Sequence, residues 1–168
     1  KFGIFNNVLA AFGIVGPDWF NSEKWAMPAY WIISLWGIGG SMVIYLAALQ
    51  GVPTALYEAA EMDGASSIKK FFSITIPMIS PVLLYTLITN MISSFQVFTM
   101  IYVISGGLGG PNYSTMVYVL YLFKNAFQWT RFGYASAIAW ILFLIISILT
   151  VLMIKAISKK VYYVESGD

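Results

Sequence analysis

Three stretches of this chain, Trp25–Leu49, Pro77–Ile104 and Tyr134–Ile154, run on without a single charged side chain. A helix rises ~1.5 Å per residue and the hydrocarbon core of a bilayer is ~30 Å thick, so each stretch can cross with some tilt. The expected fold is therefore an all-α integral membrane protein with three transmembrane helices. Composition agrees: 60% of the 168 residues are hydrophobic and 10% are charged, with a mean hydropathy of +0.79. A soluble domain is usually about one quarter charged.

The same composition removes several functions. There is no cysteine, so disulfides, thiol catalysis and sulfur-ligated metals are excluded. Histidine, the commonest general base and metal ligand, is also missing. A net charge of +2 is too small to imply nucleic acid. No acid or base lies within the three stretches, which argues against a membrane-embedded enzyme, a proton relay or ion coupling there. Lys1 stands first and no signal-peptide pattern follows it, so an N-terminally truncated chain is expected.

One polar block separates the first two spans. Tyr57–Pro77 carries Glu58, Glu61, Asp63, Lys69 and Lys70. Pro53 can open a short helix, because its missing N–H is not needed in a first turn. Ala55, Leu56, Ala59 and Ala60 favour helix. Asp63-Gly64 then ends it, glycine being free to adopt the left-handed conformation of a C-cap. Ile68, Phe71, Phe72 and Thr75 recur at spacings of three and four, which predicts a second helix running on toward Pro77.

Two of the spans carry polar or small residues near their middle. Gly37, Gly39, Gly40 and Ser41 cluster in the first, either for close helix packing or as a locally loosened helix facing a transport path. Asn90, Ser93, Ser94 and Gln96 lie midway along the second, with Asn90 and Ser94 on one face. Asn90 is expected at nearly the depth of Gly37–Ser41. Amides and hydroxyls at that depth are costly unless paired or wet, so they bond to a neighbouring helix or line a path for a hydroxyl-rich solute.

The order Glu58-Ala59-Ala60, three residues, Gly64, nine residues, Ile74-x-Ile76-Pro77 resembles the EAA loop of binding-protein-dependent ABC importer permeases. That family closes on Ile-x-Leu-Pro, and Ile76 departs from it mildly. Gly3, Asn6 and Leu9, the Phe95-Gln96-Val97-Phe98 segment, and the run from Gly109-Gly110-Pro111 through Ser114-Thr115 to Tyr121 further resemble the maltose-type sugar permeases. In that group an aspartate often stands where this chain has Thr99. The resemblance implies the C-terminal part of a roughly six-helix ABC importer permease, with a cytoplasmic coupling helix and an external interfacial helix. It also implies a bacterial or archaeal inner-membrane location.

On this reading residues 1–24 form an external interfacial segment, with Trp19 and Trp25 at the membrane boundary. Residues 25–49, 77–104 and 134–154 span, 50–76 form the cytoplasmic coupling loop, 105–133 an external loop with an interfacial helix over Thr115–Phe127, and 155–168 a cytoplasmic tail. Lys69, Lys70, Lys155, Lys159 and Lys160 share the loop's side, against Lys1, Lys24, Lys124 and Arg131, which favours a cytoplasmic loop.

The resemblance implies an importer in which two permease subunits, two cytoplasmic ATPases and an external solute-binding protein move a sugar inward by alternating access. This chain then has no catalytic residue and binds no cofactor, since ATP and Mg belong to the ATPase. Glu58, Ala59, Ala60, Asp63 and Gly64 are the expected ATPase joint. Gly37, Gly40, Ser41, Asn90, Ser93 and Ser94 are the expected substrate path. Polyols, glycerol phosphate and a purely structural assembly module remain the alternatives.

Overall fold

A computed structural model describes residues 3–158, and all regular structure among them is helical. The order is α1 (Ile4–Ala11), α2 (Ala26–Ser34), a 3₁₀ turn (Leu35–Gly37), α3 (Ile38–Gln50) and α4 (Thr54–Met62). Next come α5 (Ser67–Lys70), a π-turn (Phe71–Thr75), α6 (Ile76–Phe95), α7 (Thr99–Ile104) and a 3₁₀ turn (Pro111–Tyr113). The described residues end with α8 (Tyr118–Phe123), a second π-turn (Lys124–Gln128) and α9 (Phe132–Ile157). The expected tail falls largely on residues 159–168, so Lys159 and Lys160 lie outside the described residues, as does Lys1.

Three helical stretches are long and apolar enough to cross a membrane: Ala26–Gln50, Ser67–Ile104 and Phe132–Ile157. Their bounds refine the sequence reading. The second stretch is not one straight helix: the backbone leaves it after Phe95 and re-enters at Thr99, with Phe98 at φ −141° and ψ −63°. Apolarity alone could not locate that break, because Val97 and Phe98 suit either state. Large side chains along these helices point outward, Trp36 at 94% exposure and Val43 at 68%, as expected of surfaces made to meet lipid or other helices.

The chain divides into two compact units. The first holds Lys1–Gly37 and Ser94–Leu142, the second Ile38–Ser93 and Phe143–Asp168, so each long helix gives one end to each unit. In the first unit, buried Tyr30, Ile101 and Leu120 make the core, with Met27, Phe98, Met100, Tyr102, Met116 and Val117 packed on it. The rings of Phe98, Tyr102 and Phe123 close a triangle around it, with centroids 5.0–5.3 Å apart. Its N-terminal segment is a short helix and a loop, as expected. Asn6 donates to the Pro17 carbonyl (3.1 Å) and accepts from the Trp19 indole (2.7 Å). Gly16 permits this, because a Cβ there would overlap the Asn6 side chain.

The second unit is sparser. Ile79 and Leu84 of α6 are buried, as is Val52 just before α4. The Tyr45 and Thr86 hydroxyls meet at 2.8 Å between α3 and α6. Thr86 also bonds back to the Val82 and Leu83 carbonyls (3.0 Å each). Its one proton is used there, so the Tyr45 hydroxyl is the donor of the pair.

Candidate functional site

The polar block folds into a helical hairpin. Pro53 is not inside the helix but caps it, with ψ 128°, and α4 starts at Thr54. The reason is that a residue in extended conformation is what an N-cap requires. At the other end Gly64 takes φ +72°. The Gly64 N–H bonds to the Glu61 carbonyl and the Ala65 N–H to the Ala60 carbonyl, both at 2.9 Å. This is the Schellman arrangement, and it satisfies carbonyls that the helix end would otherwise orphan. Ser66 then caps α5, its hydroxyl accepting from the Lys69 N–H at 3.4 Å.

The motif residues face outward. Glu58, Ala59, Asp63 and Gly64 are exposed and Ala60 is half-buried. Beside them Met62 is 90% exposed and Ile68 73%. A Cβ on Gly64 would meet no atom of the described residues within 4 Å. Glycine suits this position for its backbone conformation, not to avoid a clash among the described residues.

The second helix runs on toward Pro77 as α5, a π-turn and α6, and its side chains part ways. Phe71 and Phe72 stay exposed, whereas Thr75 is 6% exposed. The π-turn at Phe71–Thr75 is the cause: one extra residue in the repeat turns everything downstream by about 100°. Thr75 is thereby brought to Tyr57 of α4, hydroxyl to hydroxyl at 2.8 Å. Nearer the tip of the hairpin, Lys70 bridges to Glu61. The Lys70 ammonium, by hydrogen bond first and by charge second, holds the Glu61 carboxyl below its ordinary range. Neither pair had been singled out from the sequence. The i, i+9 and i, i+18 spacings carry no signal until the turn between them is known.

Of the expected path residues, Asn90, Ser93 and Ser94 are exposed on α6, and Ser41 is half-buried on α3. Four residues from the Tyr45–Thr86 bond along each helix stand Ser41 and Asn90, at one level because the chain reverses between α3 and α6. Interhelical bonding does occur on α6, but through Thr86. Gly37, Gly39 and Gly40 have no atom of the described residues within 4 Å of where a Cβ would sit. Close packing at these glycines is therefore not made among the described residues. The 3₁₀ turn at Leu35–Gly37 tightens the helix just before them.

The connection between α7 and α9 is locally distinctive. Its helix starts at Tyr118 rather than Thr115, since Val117 is extended and serves as the cap. Ahead of it Gly106, Gly107, Gly109, Gly110, Asn112 and Tyr113 all take positive φ. Thr115 packs on Gly110, where any side chain would collide with the threonine hydroxyl. Lys124 and Asn125 in the second π-turn are buried. The Lys124 ammonium lies 5.7 Å from the Trp129 ring centre, and the Asn125 amide donates to the Tyr121 carbonyl at 2.9 Å.

Among the described residues no group of three or more His, Cys, Asp or Glu could hold a metal. The profile of the family described as "Binding-protein-dependent transport system inner membrane component" matches residues 2–163. The probable ABC transporter permease protein YesP of Bacillus subtilis is 39% identical over 96% of this chain and 52% of its own length. The sulfoquinovosyl glycerol transport system permease protein SmoG of Agrobacterium fabrum is 36% identical over 95% of this chain and 52% of its own. The chain thus spans about half the length of the curated relatives it matches. Its fold is similar to one chain of a crystal structure of a bacterial ABC transporter that imports the acidic polysaccharide alginate, with TM-score 0.79, 23% identity, and coverage of 95% and 56%. A membrane-spanning chain with an exposed EAA hairpin, matched almost end to end, belongs to the inner-membrane components of binding-protein-dependent transport systems.

Proposed function

We propose that the full subunit is the permease of an ATP-binding-cassette importer that moves a sugar or related polyhydroxylated solute inward by alternating access. The hairpin carries this reading. It puts Glu58, Ala59, Ala60, Asp63 and Gly64 on an outward surface, flanked by the uncovered apolar side chains of Met62 and Ile68. Acidic and apolar groups exposed together outside the bilayer suit a protein partner better than water. The partner in this reading is a cytoplasmic ABC ATPase dimer, which binds the ATP and Mg. A rigid knuckle seated in each ATPase passes its rigid-body movement to the spans.

A second permease subunit and an external solute-binding protein complete the importer. Asn90, Ser93 and Ser94 on α6, with Gly37, Gly40 and Ser41 on the preceding span, offer uncharged donors, acceptors and open backbone to a hydroxylated solute. SmoG, by its name, serves a sulfonated sugar glycoside, so anionic sugars belong beside neutral ones among the candidates.

The test is ATP hydrolysis by the full-length subunit reconstituted with partner permease, ATPase and binding protein. It is run against neutral saccharides, sugar acids, polyols and glycerol phosphate. Stimulation by one solute, lost in Gly64→Arg, is the expected result. A complex that assembles and answers to none of them removes the sugar reading. Gly64→Arg is expected to lose co-purifying ATPase, because a bulky side chain at φ +72° both strains the turn and fills the space above it. Full co-purification and full uptake by that variant would refute the ATPase joint.

A further inference from the structure

The hairpin turns on four residues, Asp63–Ser66, between α4 and α5. A turn with a left-handed glycine is where two helices scissor most easily, so a push on α4 would be absorbed there unless the helices are tied elsewhere. Two side-chain pairs tie them at two heights, and they differ in kind. Glu61 and Lys70 join near the tip, where the glutamate is 65% exposed. Exposed ion pairs are weak and are screened by salt. Tyr57 and Thr75 join at the base, where Thr75 is 6% exposed and Tyr57 half-buried. That bond is shielded from competing water and indifferent to ionic strength. It lies at the end of the π-turn, where Thr75 is buried while Phe71 and Phe72 stay exposed. π-turns cost helical regularity and recur where a function needs a face re-aimed.

We propose that Tyr57 and Thr75 are positioning residues whose hydroxyl pair, set by the π-turn, braces the coupling helix against the base of the second span. Movement of α4 is then carried into α6 rather than lost at the turn. This rests on the reading of Glu58–Gly64 as the ATPase seat.

The test uses the full-length subunit assembled with cysteine-free partner permease and ATPases in lipid nanodiscs. Mg-ATP with vanadate is the probe, so no solute need be known. The chain has no cysteine of its own, and Phe95→Cys places a single reporter at the exposed end of α6, outside the expected substrate path. Its reaction rate with a water-soluble thiol reagent is measured with and without vanadate trapping. In the otherwise native subunit the trapped state changes that rate. In Tyr57→Phe and in Thr75→Val the change shrinks about fivefold, the factor that one net hydrogen bond governs. The double variant is no worse than either single one, because one shared interaction has been removed. Thr75→Ser, which keeps the hydroxyl, restores the response. ATPase still co-purifies and hydrolyses ATP in all of them.

A native-sized response in Tyr57→Phe and Thr75→Val overturns the brace, as does failure of Thr75→Ser to restore it. Gly64→Arg separates the two readings. If it keeps both its ATPase and its response, the ATPase seat itself is wrong. If it loses the ATPase while Tyr57→Phe responds normally, only the brace is.

Discussion

The two connections that lead into α6 and α9 solve one problem in opposite ways. Each carries a π-turn just before its span, Phe71–Thr75 in one and Lys124–Gln128 in the other. In the hairpin between α4 and α6 the π-turn has one buried hydroxyl, with two phenylalanines, the glutamates and most of the motif outside. In the external loop it buries Lys124, Asn125 and Ala126 together, over a core closed by Leu120. The hairpin is held by two discrete side-chain pairs and offers its surface to others. The loop is held by packed rings, positive-φ turns and inward polar groups, although Leu108, Tyr113 and Phe127 stay exposed.

The largest expected effect that tests this contrast is Leu120→Ala. Its side chain is fully buried, and emptying such a site costs about 3 kcal/mol. A clear fall in the melting temperature of detergent-solubilised protein is expected, with ATPase co-purification retained in whatever remains folded. Loss of ATPase binding without loss of stability would mean that the two connections are not independent.

Asn90→Leu should have a smaller effect on the fold. The amide is exposed on α6, so assembly and melting should stay near native, within about 0.5 kcal/mol. Uptake or solute preference in the reconstituted importer should change. A drop in yield with unaltered selectivity would instead assign Asn90 to packing against another helix.

The smallest effect belongs to the Glu61–Lys70 pair. Its carboxyl is held below the ordinary value of 4.5, so its contribution is complete above that value in the native chain. It disappears as pH falls through the depressed value. Glu61→Gln should match the native chain at low pH and fall slightly below it at neutral pH. A large gap at neutral pH would make the tip, not the base, the principal tie of the hairpin.

What could be read from the residues alone was whatever depends on local chemistry. Uncharged apolar runs determine three spans, because charge is costly in hydrocarbon wherever the rest of the protein lies. Asp63-Gly64 determines the end of α4, because only glycine takes φ +72° without strain. The Glu58–Gly64 spacing carries the family. The tertiary structure decided what depends on rotation and reach. The break at residues 96–98, the two π-turns and the burial of Lys124 each change which way a side chain points without changing how hydrophobic the segment is. A helical period read along the chain assumes an unbroken 3.6-residue repeat, and one inserted residue invalidates every facing beyond it. For that reason Tyr57 had no visible partner until the chain had folded back on itself and brought Thr75 to it.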